Sequence, residues 1–232
     1  MRRGLIGKIA SKPDYVAIEA RGGLLPVLEP WLHAAVSSSR QRLGDAWRGA
    51  FLAAPIWRFW LGSEICGETI LGALTPSIDS AGRYFPLVVF AAPPPGVAIP
   101  PPEFEDNEVW FRAAEALLLS TLAPGALFDE ALTALEGLPA PAVAPPVAAR
   151  APMLALKGGV LAPLDDKPPG QVFAWLRRAD WARAYGARSF WQTAGGADFR
   201  PLALSFRLMP DPALFAAMLT GHFSGDAAGE VS

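Results

Sequence analysis

One stretch of the sequence is almost entirely apolar: Phe85-Pro86-Leu87-Val88-Val89-Phe90-Ala91, followed by the breaker Pro93-Pro94-Pro95-Gly96. A strand with one wet face alternates polar and apolar residues. A continuous apolar run instead marks a strand buried on both faces, with helices covering each side. The chain must therefore supply a sheet around Phe85–Ala91 and helices for two faces.

The partners are legible. Leu5–Ala10, Tyr15–Ala20, Ile56–Leu61, Thr69–Ile78, Arg188–Thr193 and Leu202–Leu208 read as strands bounded by turn residues. A helical stripe of Leu28, Trp31, Leu32, Ala35 and Val36 begins near Glu29, with Pro30 placed in its first turn. Gly44-Asp45 breaks it and caps a short second helix with Trp47, Ala50 and Phe51, which Pro55 ends. Trp110, Ala114, Leu117 and Leu118 line a further helix, with Glu103, Glu105, Asp106 and Glu108 in or before its first turn. Ala126–Leu135 and Gln171–Tyr185 add two more. At the end, Asp211 caps a helix opened by Pro212 and closed by Gly221, with Leu214, Phe215, Met218 and Leu219 on its apolar face. This mixture predicts a layered α/β fold.

Composition narrows the function. The 232 residues carry 20 Lys and Arg against 22 Asp and Glu, a net charge of −2, which argues against nucleic-acid binding. At 52% apolar, the chain is not of the disordered class. One cysteine, Cys66, excludes an internal disulfide framework, and two histidines, His33 and His222, leave little for a metal site. No stretch reaches the roughly 18 apolar residues of a membrane span. The basic start Met1–Lys8 lacks the apolar core of a signal peptide. The expectation is a soluble, cytoplasmic protein.

Three proline clusters, Pro93–Pro102, Pro139–Pro152 and Pro168-Pro169, are loops or edges. The segment after Pro139–Pro152 is too strand-poor to hold its own core. Residues 1–232 are therefore expected to form a single domain, with a proline-rich connection near 139–152.

The sequence contains no Gly-x-Gly-x-x-Gly, no phosphate-binding loop and no nucleophile elbow. Lys157-Gly158-Gly159 reads as a turn. Ser63 and Ser77 lie near strand ends, with no signal that joins either to His33 or His222. Cys66 reads as a small buried residue. Asp165-Asp166 lies in a loop without calcium-binding spacing. No catalytic residue, cofactor or metal is expected. Trp57 and Trp60, three apart in one strand, point to opposite faces. Most of the eight tryptophans read as core, with one or two as interface anchors.

Thr75–Leu87 joins two apolar strands through a polar turn. Asp79 and Ser80 bend the chain, Gly82 takes positive φ, and Arg83 pairs with Asp79. Two readings stand open: a structural turn, or an exposed binding turn whose arginine fork grips a carboxylate or phosphate of a partner.

Pro76-Ser77-Ile78-Asp79-Ser80-Ala81-Gly82-Arg83-Tyr84-Phe85-Pro86-Leu87 resembles the P-S-V-D-x-x-G-R-Y-F-P-L signature of the TagF (ImpM) family of bacterial type VI secretion systems. Gly7-Lys8-Ile9-Ala10-Ser11 with Pro13-Asp14-Tyr15-Val16 resembles its G-K-L-P-S-x-G-D-F start. Glu29-Pro30-Trp31, Ser39-Arg40 through Trp47, and Ala54-Pro55-Ile56-Trp57-Arg58-Phe59 follow in the family's order. So do Cys66-Gly67, Ser189-Phe190-Trp191 and Leu208–Pro212 with Phe215. Ala10, Pro13 and Tyr15 stand where the family has Pro, Gly and Phe. Phe190-Trp191 replaces a common Trp-Trp pair.

The resemblance implies a three-layer α/β/α sandwich with a mixed central sheet. It also implies a cytoplasmic, non-enzymatic regulator that restrains type VI secretion after translation by binding a forkhead-associated scaffold protein. Some family members are fused to a serine/threonine phosphatase domain; for this chain such an activity is expected from a separate protein. Asp79, Arg83, Tyr84, Trp57 and Arg58 are the candidate residues of a partner-binding or structural turn. A small hydrolase or transferase and a structural subunit of the secretion assembly remain the alternative readings.

Overall fold

The computed structural model describes residues 1–145 and 153–223. From the N-terminus, β1 (Arg2–Gly7) and β2 (Val16–Ile18) lead into the long helix α1 (Leu24–Leu43). A 3₁₀ turn at Gly44–Ala46 joins it to α2 (Trp47–Ala53). Then come β3 (Trp57–Leu61), the one-turn helix α3 (Ser63–Cys66), β4 (Ile70–Thr75) and β5 (Leu87–Ala92). Two helices, α4 (Glu108–Thr121) and α5 (Phe128–Glu136), precede a separate hairpin of β6 (Leu154–Leu156) and β7 (Gly159–Leu161). The last part holds α6 (Pro169–Ala179), α7 (Trp181–Ala184), β8 (Arg188–Thr193), β9 (Leu202–Arg207), a 3₁₀ turn at Pro212–Leu214 and α8 (Phe215–Thr220).

Seven strands form one sheet in the order β2-β1-β5-β4-β3-β8-β9. The apolar run lies inside it, and all six residues of β5 are buried. Val88, Phe90 and Ala92 enter the core shared with α1, α2 and α8, which also holds Leu28, Trp31, Phe51, Phe215 and Met218. Leu87, Val89 and Ala91 enter the opposite core with Trp110, Ala114, Leu117 and Leu118 of α4, Leu135 of α5 and Trp181 of α7. Burying each such valine or phenylalanine stabilises by about 1.5–3 kcal/mol. The fold is therefore a three-layer α/β/α sandwich.

The sheet itself corrects the expectation of mixed pairing. All six neighbouring pairs are antiparallel. Parallel neighbours need a crossover that returns the chain to the starting end of the strand before it. Here β4–β5 and β8–β9 are joined without such a crossover, and the helical excursions deliver β3 and β8 already reversed.

Three local differences share one cause, tertiary packing over local preference. The first strand begins at Arg2, not Leu5, because half-buried Arg2 pairs with Glu68. Helix α1 begins at Leu24, so Pro30 lies inside it and removes a donor to the Pro26 carbonyl. The Gln171–Tyr185 helix breaks at Asp180 into α6 and α7. The sequence signals at the C-terminus hold: Asp211 accepts from the Ala213 amide at 2.8 Å, and Gly221 closes α8 at φ 76°.

Gly72 has a steric role. It pairs with Phe59 across β3 and β4, and a Cβ at residue 72 would lie 2.1 Å from the Phe59 ring. The missing side chain is the space that the aromatic ring fills.

Part of the proline-rich connection is pinned. Ala98 and Ala144 exchange backbone hydrogen bonds at 2.9 Å, and the Ala142 amide donates to Asn107 Oδ1 at 2.8 Å. Residues 146–152 of that connection lie outside the described residues.

Candidate partner interface

The turn between β4 and β5 is built around one carboxylate. Asp79 Oδ1 accepts from the backbone amides of Ala81 at 3.0 Å and Arg83 at 2.8 Å. Its Oδ2 accepts from Lys8 Nζ at 2.5 Å and Arg83 Nε at 2.7 Å. Gly82 takes φ 79°, which lets the chain reverse, and its amide donates to the Asp79 carbonyl at 2.9 Å. Asp79 is only 3% exposed. Burial pushes its carboxyl up, yet donation from Lys8 and from the amide and side chain of Arg83 outweighs this and holds it well below the usual carboxylate range.

The same turn is tied to the loop after β1. The Ser80 amide donates to the Lys12 carbonyl at 3.2 Å, and the Arg83 guanidinium donates to the Pro13 carbonyl. Two of the segments that carry the family resemblance therefore form one clamp at one end of the sheet.

Tyr84 turns toward the first helical layer. Its ring meets the edges of Trp47 at 5.8 Å and Phe51 at 6.1 Å, beneath the Arg48 guanidinium. Trp57, at the start of β3, faces the same layer. It is buried and donates from Nε1 to the Met218 carbonyl at 3.0 Å. Arg58 points the other way. It donates to Glu115 at 2.6 Å and Glu108 at 2.5 Å, both on α4, and lies over the Phe111 ring. Donation to Glu115, opposed by burial and reinforced by Glu108, pushes the guanidinium up from its ordinary value.

The structure therefore brings Asp79, Arg83 and Tyr84 together, places Trp57 in the core of the first layer, and puts Arg58 on the opposite face. Trp57 and Trp60 do point to opposite faces, since Trp60 packs in the second core. Arg83 and Tyr84 are the members of the set that reach the surface of the turn.

Other polar candidates are accounted for individually. His33 is exposed, with its ring 4.8 Å from Phe85, and His222 is exposed beyond α8. Cys66 is buried; burial, reinforced by the charge of Glu68, pushes its thiol up to about 12. Ser77 Oγ is buried without a hydrogen-bond partner among the described residues. Lys157 and Gly158 form the turn of the β6–β7 hairpin, and Gly159 opens β7. Among the described residues, no group of three or more His, Cys, Asp or Glu is placed to hold a metal ion, and no helix is long and apolar enough to cross a membrane.

Sequence reasoning missed a second surface. On β8 and β9 the side chains of Arg188, Phe190, Gln192, Ala203, Ser205 and Arg207 share one face, and all six are exposed or half-buried. A cavity of about 90 Å³ opens along it, lined in part by Arg58, Trp60, Phe111, Phe190 and Gln192. The signal was present in Leu202–Arg207, where apolar residues alternate with small or polar ones.

Comparison with known proteins places this architecture. The model of the TagF N-terminal domain, described as type VI secretion system-associated, matches residues 4–138. The crystal structure of PA0076 from Pseudomonas aeruginosa PAO1 is similar in fold, with a TM-score of 0.78 and 30% sequence identity, over 96% of each chain. Among curated proteins none matches. With the domain match spanning more than half its length and the same fold in a relative of this identity, the chain belongs to the TagF N-terminal domain family, which is type VI secretion system-associated.

Proposed function

We propose that this protein is a non-enzymatic negative regulator of type VI secretion, acting after translation in the cytoplasm by binding a forkhead-associated scaffold protein. The observation that carries the reading is the family match over residues 4–138. The clamp at the end of the sheet supports it. The charges of Asp79 and Lys8 are turned inward on each other, so this site is suited to holding a shape and not to transferring protons or groups. Arg83 and Tyr84 remain at the surface as the recognition elements, with an arginine fork and an aromatic face.

Deletion and overexpression in the native cell test this. Repression requires more secretion of type VI substrates after deletion and less after overexpression. No change in either direction ends the regulatory reading. Co-purification of the forkhead-associated protein with the wild-type chain tests the partner, and Arg83→Ala in a folded protein tests the turn as the contact.

A further inference from the structure

Strand β9 ends the sheet, and among the described residues its outer edge pairs with no strand. Proteins blunt such edges with charges, prolines or bulges, because a bare edge is a template for another strand. Here Pro201 precedes the strand and Leu208, at φ 62°, terminates it. Between them, Leu202-Ala203-Leu204-Ser205-Phe206 contains neither charge nor proline, and Arg207 is the strand's single charge.

The two faces of this edge differ. Leu202, Leu204 and Phe206 pack half-buried against the first core. On the other face Arg188 and Arg207 stand directly opposite each other across β8 and β9, both exposed. Like charges at opposed positions destabilise a sheet. Among the described residues neither arginine forms an ion pair. Glu103 is engaged by Arg177 at 2.8 Å and by the Tyr185 hydroxyl, and Asp180 lies 3.4 Å from Arg183, while the Glu64 carboxylate lies beside Gly186 and pairs with neither arginine. Strands β8 and β9 contain no Asp or Glu.

We infer that β9 is the docking edge for an extended segment of a partner protein that alternates apolar and acidic residues. Adding a strand to β9 gives main-chain hydrogen bonds, and its period of two places alternate side chains on opposite faces. Its carboxylates then stand beside Arg207, with Arg188 one strand further on the same face, while its apolar residues extend the surface of Leu202, Leu204 and Phe206. A second copy of this chain is a poorer occupant. Antiparallel pairing of β9 with itself keeps like faces together, and so adds two more arginines and no strand carboxylate. This inference rests on the docking reading above for the existence of a protein partner, and it specifies the chemistry of the contact.

The test uses the full chain and an eight-residue synthetic peptide of alternating valine and glutamate. Binding is followed by fluorescence anisotropy and by amide hydrogen exchange. The expected result is saturable binding that slows exchange within residues 202–207. The double substitution Arg188→Gln/Arg207→Gln weakens it by about tenfold, while Arg42→Gln on the exposed side of α1 leaves it unchanged. Equal binding of the valine–glutamine peptide, protection elsewhere than β9, or no saturation overturns the inference. So does a peptide-free dimer protected at β9, which assigns the edge to a second copy. A chain that restrains secretion but fails the peptide test loses only the acidic-strand contact. A chain that binds the peptide at β9 yet leaves secretion unchanged loses the regulatory reading instead.

Discussion

Lys8 and Asp79, 71 positions apart in the sequence, meet at 2.5 Å where the loop after β1 crosses the β4–β5 turn. The Asp79 carboxylate thereby holds two loops at once, by amide donors within its own turn and by an ammonium from another. Removing it leaves Lys8, whose side chain is 15% exposed, without its counter-charge. Asp79→Ala is therefore expected to cost about 3 kcal/mol, lowering Tm by about 6–12 °C. Arg83→Ala, at a side chain 57% exposed, costs about 1 kcal/mol or less. Calorimetry of the two variants checks the order. Equal losses would mean that the Arg83 contacts, not the buried carboxylate, hold the turn.

Acid should dismantle the ionic contacts in a defined window. The folded pKa of Asp79 lies below its unfolded value, so its contribution is complete above about pH 4 and fades as pH falls through the folded value. Glu108 follows the same sign: donation from Arg58, and then from Arg112, lowers it to about 2. Its contribution is complete above the unfolded value of about 4.3 and is lost toward pH 2. Arg58→Met should lower stability at neutral pH and flatten the decline in acid, because Glu108 then has less to lose. Urea midpoints between pH 2.5 and 7 measure this. A variant with the wild-type acid slope would show that the Arg58–Glu108 pair contributes nothing to the linkage.

The residues that were legible in the sequence are those whose signal is local. Leu87–Ala91 announces a doubly covered strand by its own composition. The parity of Trp57 and Trp60 fixes two faces, and Asp211 with Pro212 marks a helix start within three residues. What was not legible depends on partners distant in the chain. Arg2 reads as a poor strand residue until Glu68 is beside it. Pro30 reads as a helix start until the packing of Leu24 and Leu28 extends the helix upstream. The Asp79–Arg83 pair was readable because its members are four apart, whereas Lys8 was not. Register is the hardest case: nothing in Arg188 or Arg207 alone says that they face each other.

Cys66 offers a check on the first core. Burial, reinforced by the charge of Glu68, pushes its thiol up to about 12, so at pH 8 almost no thiolate forms in the native chain. A disulfide reagent such as dithionitrobenzoate should label it only through opening of the structure around α3. Labelling in denaturant should be complete and rapid. Fast labelling of the native protein would show that the region around Gly67 opens readily, with the burial of Cys66 maintained only part of the time.

The opposed arginines make a prediction about stability independent of any partner. Relieving a directly opposed like-charge pair stabilises a sheet by about 0.2–1 kcal/mol, so Arg207→Gln should raise Tm by about 1–3 °C. Arg207→Glu should raise it further by turning repulsion from Arg188 into attraction. Both side chains are exposed, so salt should screen the effect. Calorimetry at low salt and at about 1 M salt, where the Debye length falls to about 3 Å, reads this directly: the gain should shrink as salt rises. A loss of stability in Arg207→Gln at both salt concentrations would mean that the aliphatic stem of Arg207 packs usefully against the sheet and that the pair carries no strain. A gain that disappears in salt would identify a position where the isolated chain forgoes stability, as expected of a surface whose charges are matched by another molecule.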